Sequence, residues 1–233
     1  VYYLNLREGS GENITRVDSS FVSYKGFSFT KTTVDEVDTY TQTVFDSKQN
    51  PVWLSLDEVI RGWAEIIPRF KTGTFSSQVD GTISFDNFGA GVIFIPSGLA
   101  YFSSGTLTIP SYSPLIFNFK LHNLRRRDHD RDGILSMHEY GPNFDEDAID
   151  TDGDERPDYI DVDDDADGVL TKTERSFTYL DGTETKTGYY PFNGALVDDP
   201  STPYDDTKCI PSCSNDFTTA TRLRRHLDPT CRN

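Results

Sequence analysis

The sequence predicts an α+β protein in which a twisted antiparallel sheet wraps one short helix and an irregular extension follows. Three observations carry that reading. Residues 1–124 hold five runs of alternating apolar and polar residues separated by turn-forming residues, the pattern of half-buried strands. One stretch, "SLDEVIRGWAEIIPRF" (55–70), places Val59, Ile60, Trp63, Ile67 and Phe70 at helical intervals. From Asp128 to Glu174 both periods give way to short sets of alternating aspartates.

The strand runs are "VYYLNL" (1–6), "SSFVSYKGFSF" (19–29), "PVWLSL" (51–56), "GVIFIP" (91–96) and "PLIFNFKLHNL" (114–124). In the last, Leu115, Phe117, Phe119 and Leu121 share one face. Ser55 and Glu58 have capping-box spacing for the helix, and Pro68 ends or kinks it. Two insertions stand out: "FSFTKTTVDEVDTYTQT" (27–43) lengthens the connection after Tyr24, and "FSSQVDGTISFDNFGA" (75–90) reads as an extra hairpin turning at "VDGT". The expected divisions are 1–124, 125–175 and 176–233. The last reads as an irregular extension rich in Gly, Thr and Pro, with a short helix over "TATRLRRHL" (219–227).

At 233 residues and 35% hydrophobic content the chain can build a sizeable core. Its net charge of −16 is local, because eighteen acids against three bases between Asp128 and Glu174 account for −15. Nucleic-acid binding and polybasic membrane attachment therefore lack electrostatic support. No run of about eighteen apolar residues is present, so no transmembrane span is expected. Val1 opens directly on strand-like sequence, which implies that any targeting peptide has been removed.

"SYKG" (23–26), "VFDS" (44–47), "VIRGW" (59–63), "FIPSGLAY" (94–101) and "IPSYSPLIFNFKL" (109–121) together, in this order, resemble the FKBP-type peptidyl-prolyl cis-trans isomerases. The resemblance covers most of residues 1–124. It implies an FKBP-like sheet on a helix, rotation of X-Pro bonds, proline-containing polypeptides as substrates and no organic cofactor. It also implies Trp63 as the floor of a pocket walled by Tyr24, Phe45, Val59, Ile60, Ile109 and Phe117, with Asp46 and Tyr101 as polar points. The chemistry agrees, since rotating an X-Pro bond crosses a barrier of about 18–20 kcal/mol without breaking a covalent bond, and needs no nucleophile. An apolar cavity disfavours the dipolar planar amide, and the Ile60 N–H and Tyr101 hydroxyl are the expected donors to the substrate carbonyl. The sequence departs from the family at Phe102, where Gly is usual, at Val52, where many relatives have an aromatic, and at Thr108, which replaces an apolar residue. The alternative is a non-catalytic module that holds a proline-containing ligand or partner.

The acidic segment repeats an oxygen-ligand calcium loop, which needs carboxylates at positions 1, 3, 5 and 12, a tight turn at 6 and a carbonyl at 7. Asp128, Asp130, Asp132, Ile134, Ser136 and Glu139 fill the first loop around Gly133. Asp163, Asp165, Asp167, Val169, Thr171 and Glu174 fill the third around Gly168. Between them Asp150, Asp152, Asp154, Asp158 and Asp161 keep the spacing, but Glu155 replaces the turn glycine. Asn143, Asp145 and Asp147 form another partial set. Two to three calcium ions are expected, and the phrasing "DTDGD…PDYIDVDDD" resembles the calcium repeats of thrombospondin type 3, in which neighbouring loops share ions.

Cys209, Cys213, His226 and Cys231 match a zinc-finger spacing. The acidic composition and calcium loops favour instead a Cys213–Cys231 disulfide, with Cys209 free or an alternative partner. Resemblance to multi-domain FKBP-type proteins of bacterial envelopes implies an extracytoplasmic monomer, with a possible lipid anchor upstream of residue 1.

Overall fold

The computed structural model describes residues 1–141 and 148–232, and the chain divides into two compact units, Val1–Arg126 and Arg127–Asn233. The acidic-loop segment and the segment after residue 175 fall together in the second unit. The partial set at Asn143, Asp145 and Asp147 lies outside the described residues.

In the first unit β1 (Tyr2–Arg7), β2 (Ser19–Val34), β3 (Val37–Ser55), β6 (Gly89–Ile95) and β7 (Leu115–Arg125) form an antiparallel sheet in the order β1-β6-β7-β2-β3. The central strand β7 buries Leu115, Phe117, Phe119 and Leu121, the face its alternation predicts. Against this face lies α1 (Arg61–Ile66), burying Trp63 and Ile66. The helix can lie this close because Gly62 has no side chain: a Cβ there would stand 2.4 Å from Ile95 Cγ2.

The helix starts at Arg61, five residues later than the capping-box spacing predicts. Ser55 Oγ donates to Asp57 at 2.7 Å, and no side chain caps α1. A tertiary tie decides this: the Leu56 N–H donates to the Asp18 carbonyl at 3.0 Å while the Leu56 side chain is fully buried. That contact holds residues 55–58 as a turn and leaves Ile60 extended, with ψ 140°. Pro68 does end α1, opening a 3₁₀ turn over Ile67–Arg69.

The first insertion is not a loose connection. β2 and β3 continue through it, paired residue by residue out to Val34 opposite Val37, so that "PVWLSL" is the end of one long strand. Asp35 and Glu36 close the hairpin at φ 48° and 65°, and the alternating Thr and Val residues suit its strands. The second insertion forms the expected hairpin, β4 (Thr74–Ser77) with β5 (Ile83–Asp86), turning at Gly81 with φ 82°.

Asp18 anchors the end of β7. Its buried Oδ2 accepts the Thr15 N–H (2.8 Å), the Thr15 hydroxyl (2.7 Å) and Arg126 Nη1 (2.6 Å). Arg125 lies over the Trp53 ring at 4.6 Å, so both arginines are fixed within the first unit.

In the second unit the three acidic loops lead into a feature the sequence reading left irregular: β8 (Ser176–Asp181) and β9 (Glu184–Tyr189) pair as a hairpin. The signal was present, since Gly182-Thr183 between alternating runs is a two-residue hairpin turn, and Gly182 takes φ 63°. The helix expected over 219–227 is only a 3₁₀ turn, Arg225–Leu227. Among the described residues no helix is long and apolar enough to cross a membrane.

Asp18→Ala leaves a buried amide, a hydroxyl and a guanidinium without their acceptor, and is expected to destabilise the first unit by about 3 kcal/mol. Urea unfolding followed by tryptophan fluorescence reads this unit alone, because Trp53 and Trp63 are the chain's two tryptophans. A loss below about 1 kcal/mol would mean that the anchor behaves as a surface ion pair.

Candidate functional site

On the helix side of the sheet, Tyr24, Phe45, Asp46, Leu54, Glu58, Val59, Ile60, Trp63, Tyr101 and Phe117 line a cavity of about 320 Å³. The structure therefore brings together eight of the nine residues expected there. Ile109 is instead packed in the core, 3% exposed. Leu54 and Glu58 were not anticipated: Leu54 lies near the end of β3, and Glu58 belongs to the turn that replaces the start of the expected helix. Val52 is not among the lining residues.

The rings meet edge to face. Trp63 and Phe117 lie 4.9 Å apart at 80°, Phe45 and Phe117 5.4 Å at 85°, and Tyr24 and Trp63 5.4 Å at 69°. Gly26 leaves them room, since a Cβ there would come within 2.6 Å of Phe45 and 2.9 Å of Phe117. Trp63 is 2% exposed, and its indole N–H has no partner among the described residues. The Tyr24 hydroxyl donates to Asp46 Oδ2 at 2.6 Å, while Asp46 Oδ1 accepts the Ser47 N–H and lies 3.6 Å from Lys48. Burial first, and then the bond to the Asp46 carboxylate, push the Tyr24 hydroxyl well above the ordinary phenol range. Among the described residues the Ile60 N–H and the Tyr101 hydroxyl make no hydrogen bond, which with the Trp63 indole leaves three donors at the cavity. Phe102, the departure after Tyr101, has φ 44°, the conformation that Gly adopts without strain.

The second candidate site is the set of acidic loops, and all three share one backbone. In each, the N–H of position 6 donates to the first aspartate: Gly133 to Asp128 at 3.1 Å, Glu155 to Asp150 at 3.0 Å and Gly168 to Asp163 at 3.1 Å. In each, the position-7 N–H donates to the position-5 carboxylate, at 2.6 Å for Ile134 and 2.7 Å for Arg156 and Val169. Glu155 takes φ 75° where Gly133 and Gly168 take 96° and 90°, so the middle loop keeps the shape at the cost of a strained residue. Single helical turns, α2 (Ser136–Glu139) and α3 (Thr171–Glu174), return Glu139 and Glu174 to the first and third loops.

Ligand-bearing oxygens gather in four groups, each within 4.8 Å: Asp128, Asp130 and Asp132; Asp150, Asp152 and Asp154; Asp163, Asp165 and Asp167; and Asp130, Glu139 and Asp164. Position 9 does other work. Ser136 Oγ accepts the His129 N–H at 3.2 Å, Thr171 Oγ1 accepts the Asp164 N–H at 3.2 Å, and the two Asp158 oxygens hold the Thr151 amide and hydroxyl at 2.7 Å each. Asp161 accepts the Asp163 N–H at 3.1 Å and lies 3.8 Å from Arg156. Asp158 and Asp161 thus brace the middle loop and do not join its carboxylate group.

The first and third loops suit a hard cation. Buried oxygens of Asp130, Asp132, Glu139, Asp163, Asp165, Asp167 and Glu174 have no partner among the described residues. Burial, and then neighbouring carboxylates, push Glu139 up to about 11 and Asp130 and Glu174 up to about 8. A divalent cation with oxygen ligands would supply the missing partner. The middle loop has no such buried oxygen among its first three aspartates.

Cys213 and Cys231 are joined as a disulfide, with Cα atoms 5.4 Å apart, and Cys209 is buried and free, accepting from Arg222 Nη2 at 2.7 Å. The zinc set of Cys209, Cys213, His226 and Cys231 is therefore not formed. Burial, reinforced by Arg224, Arg175 and Arg225, lowers the His226 imidazole to about 3.

The first unit thus presents an aromatic pocket with few fixed polar atoms, on an antiparallel sheet closed by one short helix. Solved structures similar to the chain include a peptidyl-prolyl cis-trans isomerase from Pseudomonas syringae pv. tomato (24% identity, 53% of this chain and 74% of that one, TM-score 0.39). Also similar are FkpA from Escherichia coli (28% identity, 53% and 47%, TM-score 0.37) and the N-terminal domain of FKBP42 from Arabidopsis thaliana (16% identity, 53% and 84%, TM-score 0.38). The matched part spans less than half of FkpA. In the second unit, residues 129–204 match the family described as BamM C-terminal. No curated protein matches the chain.

Because the folded Tyr24 hydroxyl ionises above its unfolded value, its contribution to stability is complete below pH 10 and is lost as pH rises further. Asp46→Asn removes the charged acceptor and is expected to bring Tyr24 ionisation down, measured as tyrosinate absorbance in difference titrations against Tyr24→Phe. An unchanged titration in Asp46→Asn would show that Asp46 does not set it.

Proposed function

We propose that the first unit rotates X-Pro peptide bonds and that the second binds calcium, the two together forming an extracytoplasmic folding helper. The observation that supports the isomerase reading is the pocket itself: an unpartnered indole floor, edge-to-face aromatic walls and a few polar groups, those of Tyr24, Asp46, Glu58, Ile60 and Tyr101. A prolyl ring would fill the apolar floor. The Ile60 N–H and Tyr101 hydroxyl would hold the substrate carbonyl, and the low polarity of the walls would favour the twisted amide over the dipolar planar one. Asp46 positions Tyr24 rather than reacting.

One observation favours the second reading, a non-catalytic binding module. Tyr101 is 39% exposed and is followed by the strained Phe102, so the donor's placement rests on a residue ill suited to its backbone. A protease-coupled assay on an X-Pro peptide separates the two. Asp46→Val and Trp63→Ala should each lower kcat/KM by about 100-fold, the effect of misplacing a positioned group. A native chain with intact fluorescence and no rate above background would sink the isomerase reading and leave the binding module.

The calcium reading is supported by the repeated loop backbone and its buried, unpartnered carboxylates, and the extracytoplasmic reading by the disulfide. Loops of extracellular modules hold calcium with Kd of about 10⁻⁴–10⁻³ M, a range that keeps them filled outside the cytoplasm. Chelation should therefore speed tryptic cleavage at Arg131 and Lys172, by about 10-fold relative to calcium at ten times Kd. Equal cleavage with and without chelator would remove calcium from the account.

A further inference from the structure

The carboxylate group of Asp130, Glu139 and Asp164 does not belong to one loop. Asp130 and Glu139 are positions 3 and 12 of the first loop, whereas Asp164 is position 2 of the third, a place to which the loop pattern assigns no ligand. Their oxygens nevertheless lie within 4.8 Å of one another. Glu139 is 4% exposed and Asp164 2%, and none of their four side-chain oxygens has a partner among the described residues.

The other loops show what position 2 ordinarily does. His129 Nδ1 pairs with Ser136 Oγ at 2.8 Å, and the Thr151 hydroxyl donates to Asp158 at 2.7 Å, each within its own loop. In the third loop the backbone makes the same connection, Asp164 N–H to Thr171 Oγ1, and the Thr171 hydroxyl also draws on the Asp164 side chain, but neither buried carboxylate oxygen has a partner in hydrogen-bond geometry. The third loop's own group consists of Asp163, Asp165 and Asp167.

We propose that Asp164 is a ligand supplied across the loops, so that one divalent cation held by Asp130 and Glu139 of the first loop is also held by the third. This rests on the calcium reading of the loops and adds to it a shared ion that ties two loops into one binding unit. Three convergent carboxylates, of which Glu139 has both oxygens buried and unpartnered among the described residues, match a calcium-class cation. Filling the first loop then orders the start of the third, and by linkage an intact third loop tightens the first.

The test uses the full chain, stripped of metal and titrated with calcium chloride, with hydrogen exchange read separately for peptides covering 128–139 and 163–174. Asp164→Asn should raise the calcium midpoint of the first loop by about 10–100-fold, although no residue of that loop is changed. Glu139→Gln should reciprocally raise the midpoint of the third. If the native chain gains no protection with calcium, the calcium reading fails and the shared ion with it. If the native chain is protected and Asp164→Asn leaves the first loop's midpoint unchanged, only the shared ion is overturned. Should Asp164→Asn gain no protection at any calcium concentration, Glu139→Gln decides: a shifted third-loop midpoint supports the shared ion and an unshifted one overturns it.

Discussion

A buried carboxylate must find a positive partner or surrender its charge, and both units are organised by that constraint. In the first, Asp18 is sealed from solvent and meets Arg126, so the last residue of the sheet unit is pinned to the loop before β2. In the second, Asp132, Glu139, Asp164, Asp165 and Glu174 are all buried, yet the buried Arg175 turns to carbonyls, donating to those of Asp132 and Tyr190. Arg175 and Lys172 near Asp132 and Arg225 near Glu174 offset only part of this charge, and burial still pushes both acids up. On the proposed reading, cations from solution neutralise the rest.

Arg175 also shows how closely the loops depend on one another. It follows Glu174 directly, and a Cβ on Gly133 would collide with its guanidinium, so the turn glycine of the first loop leaves room for a side chain that begins at the end of the third. The Arg175 carbonyl then accepts the Tyr190 N–H, which carries the same connection to the end of the β8–β9 hairpin. Close approach governs the pocket as well. Gly26 and Gly62 are what allow two rings and a helix to reach the sheet, and either position would have to shift neighbouring atoms to accept a side chain.

Much of this was legible in the sequence. The inward face of β7 followed from its alternation, eight pocket residues from ordered motifs, and the loop backbone from aspartate spacing, even where Glu155 stands for glycine. What escaped depended on contacts distant in sequence. The Ser55 and Glu58 pair is a local signal, and the Leu56 N–H bond to Asp18 overrode it. Asp158 and Asp161 have the spacing of ligands, but whether they ligate or brace depends on Thr151 and Asp163, which spacing does not encode. Asp164 was hidden by its neighbours, because in "DVDDDADG" every second residue already had a role.

The long β2–β3 hairpin has a different kind of consequence. From Thr30 to Val44 every residue is exposed, and none lines the pocket or joins the core. Its strands pair without a bulge beyond Phe27 and Val44, so residues can be gained or lost there in opposing pairs while the register nearer the pocket stays as it is. The length of the arm is thus set by its own pairing, and neither the pocket nor the core fixes its reach.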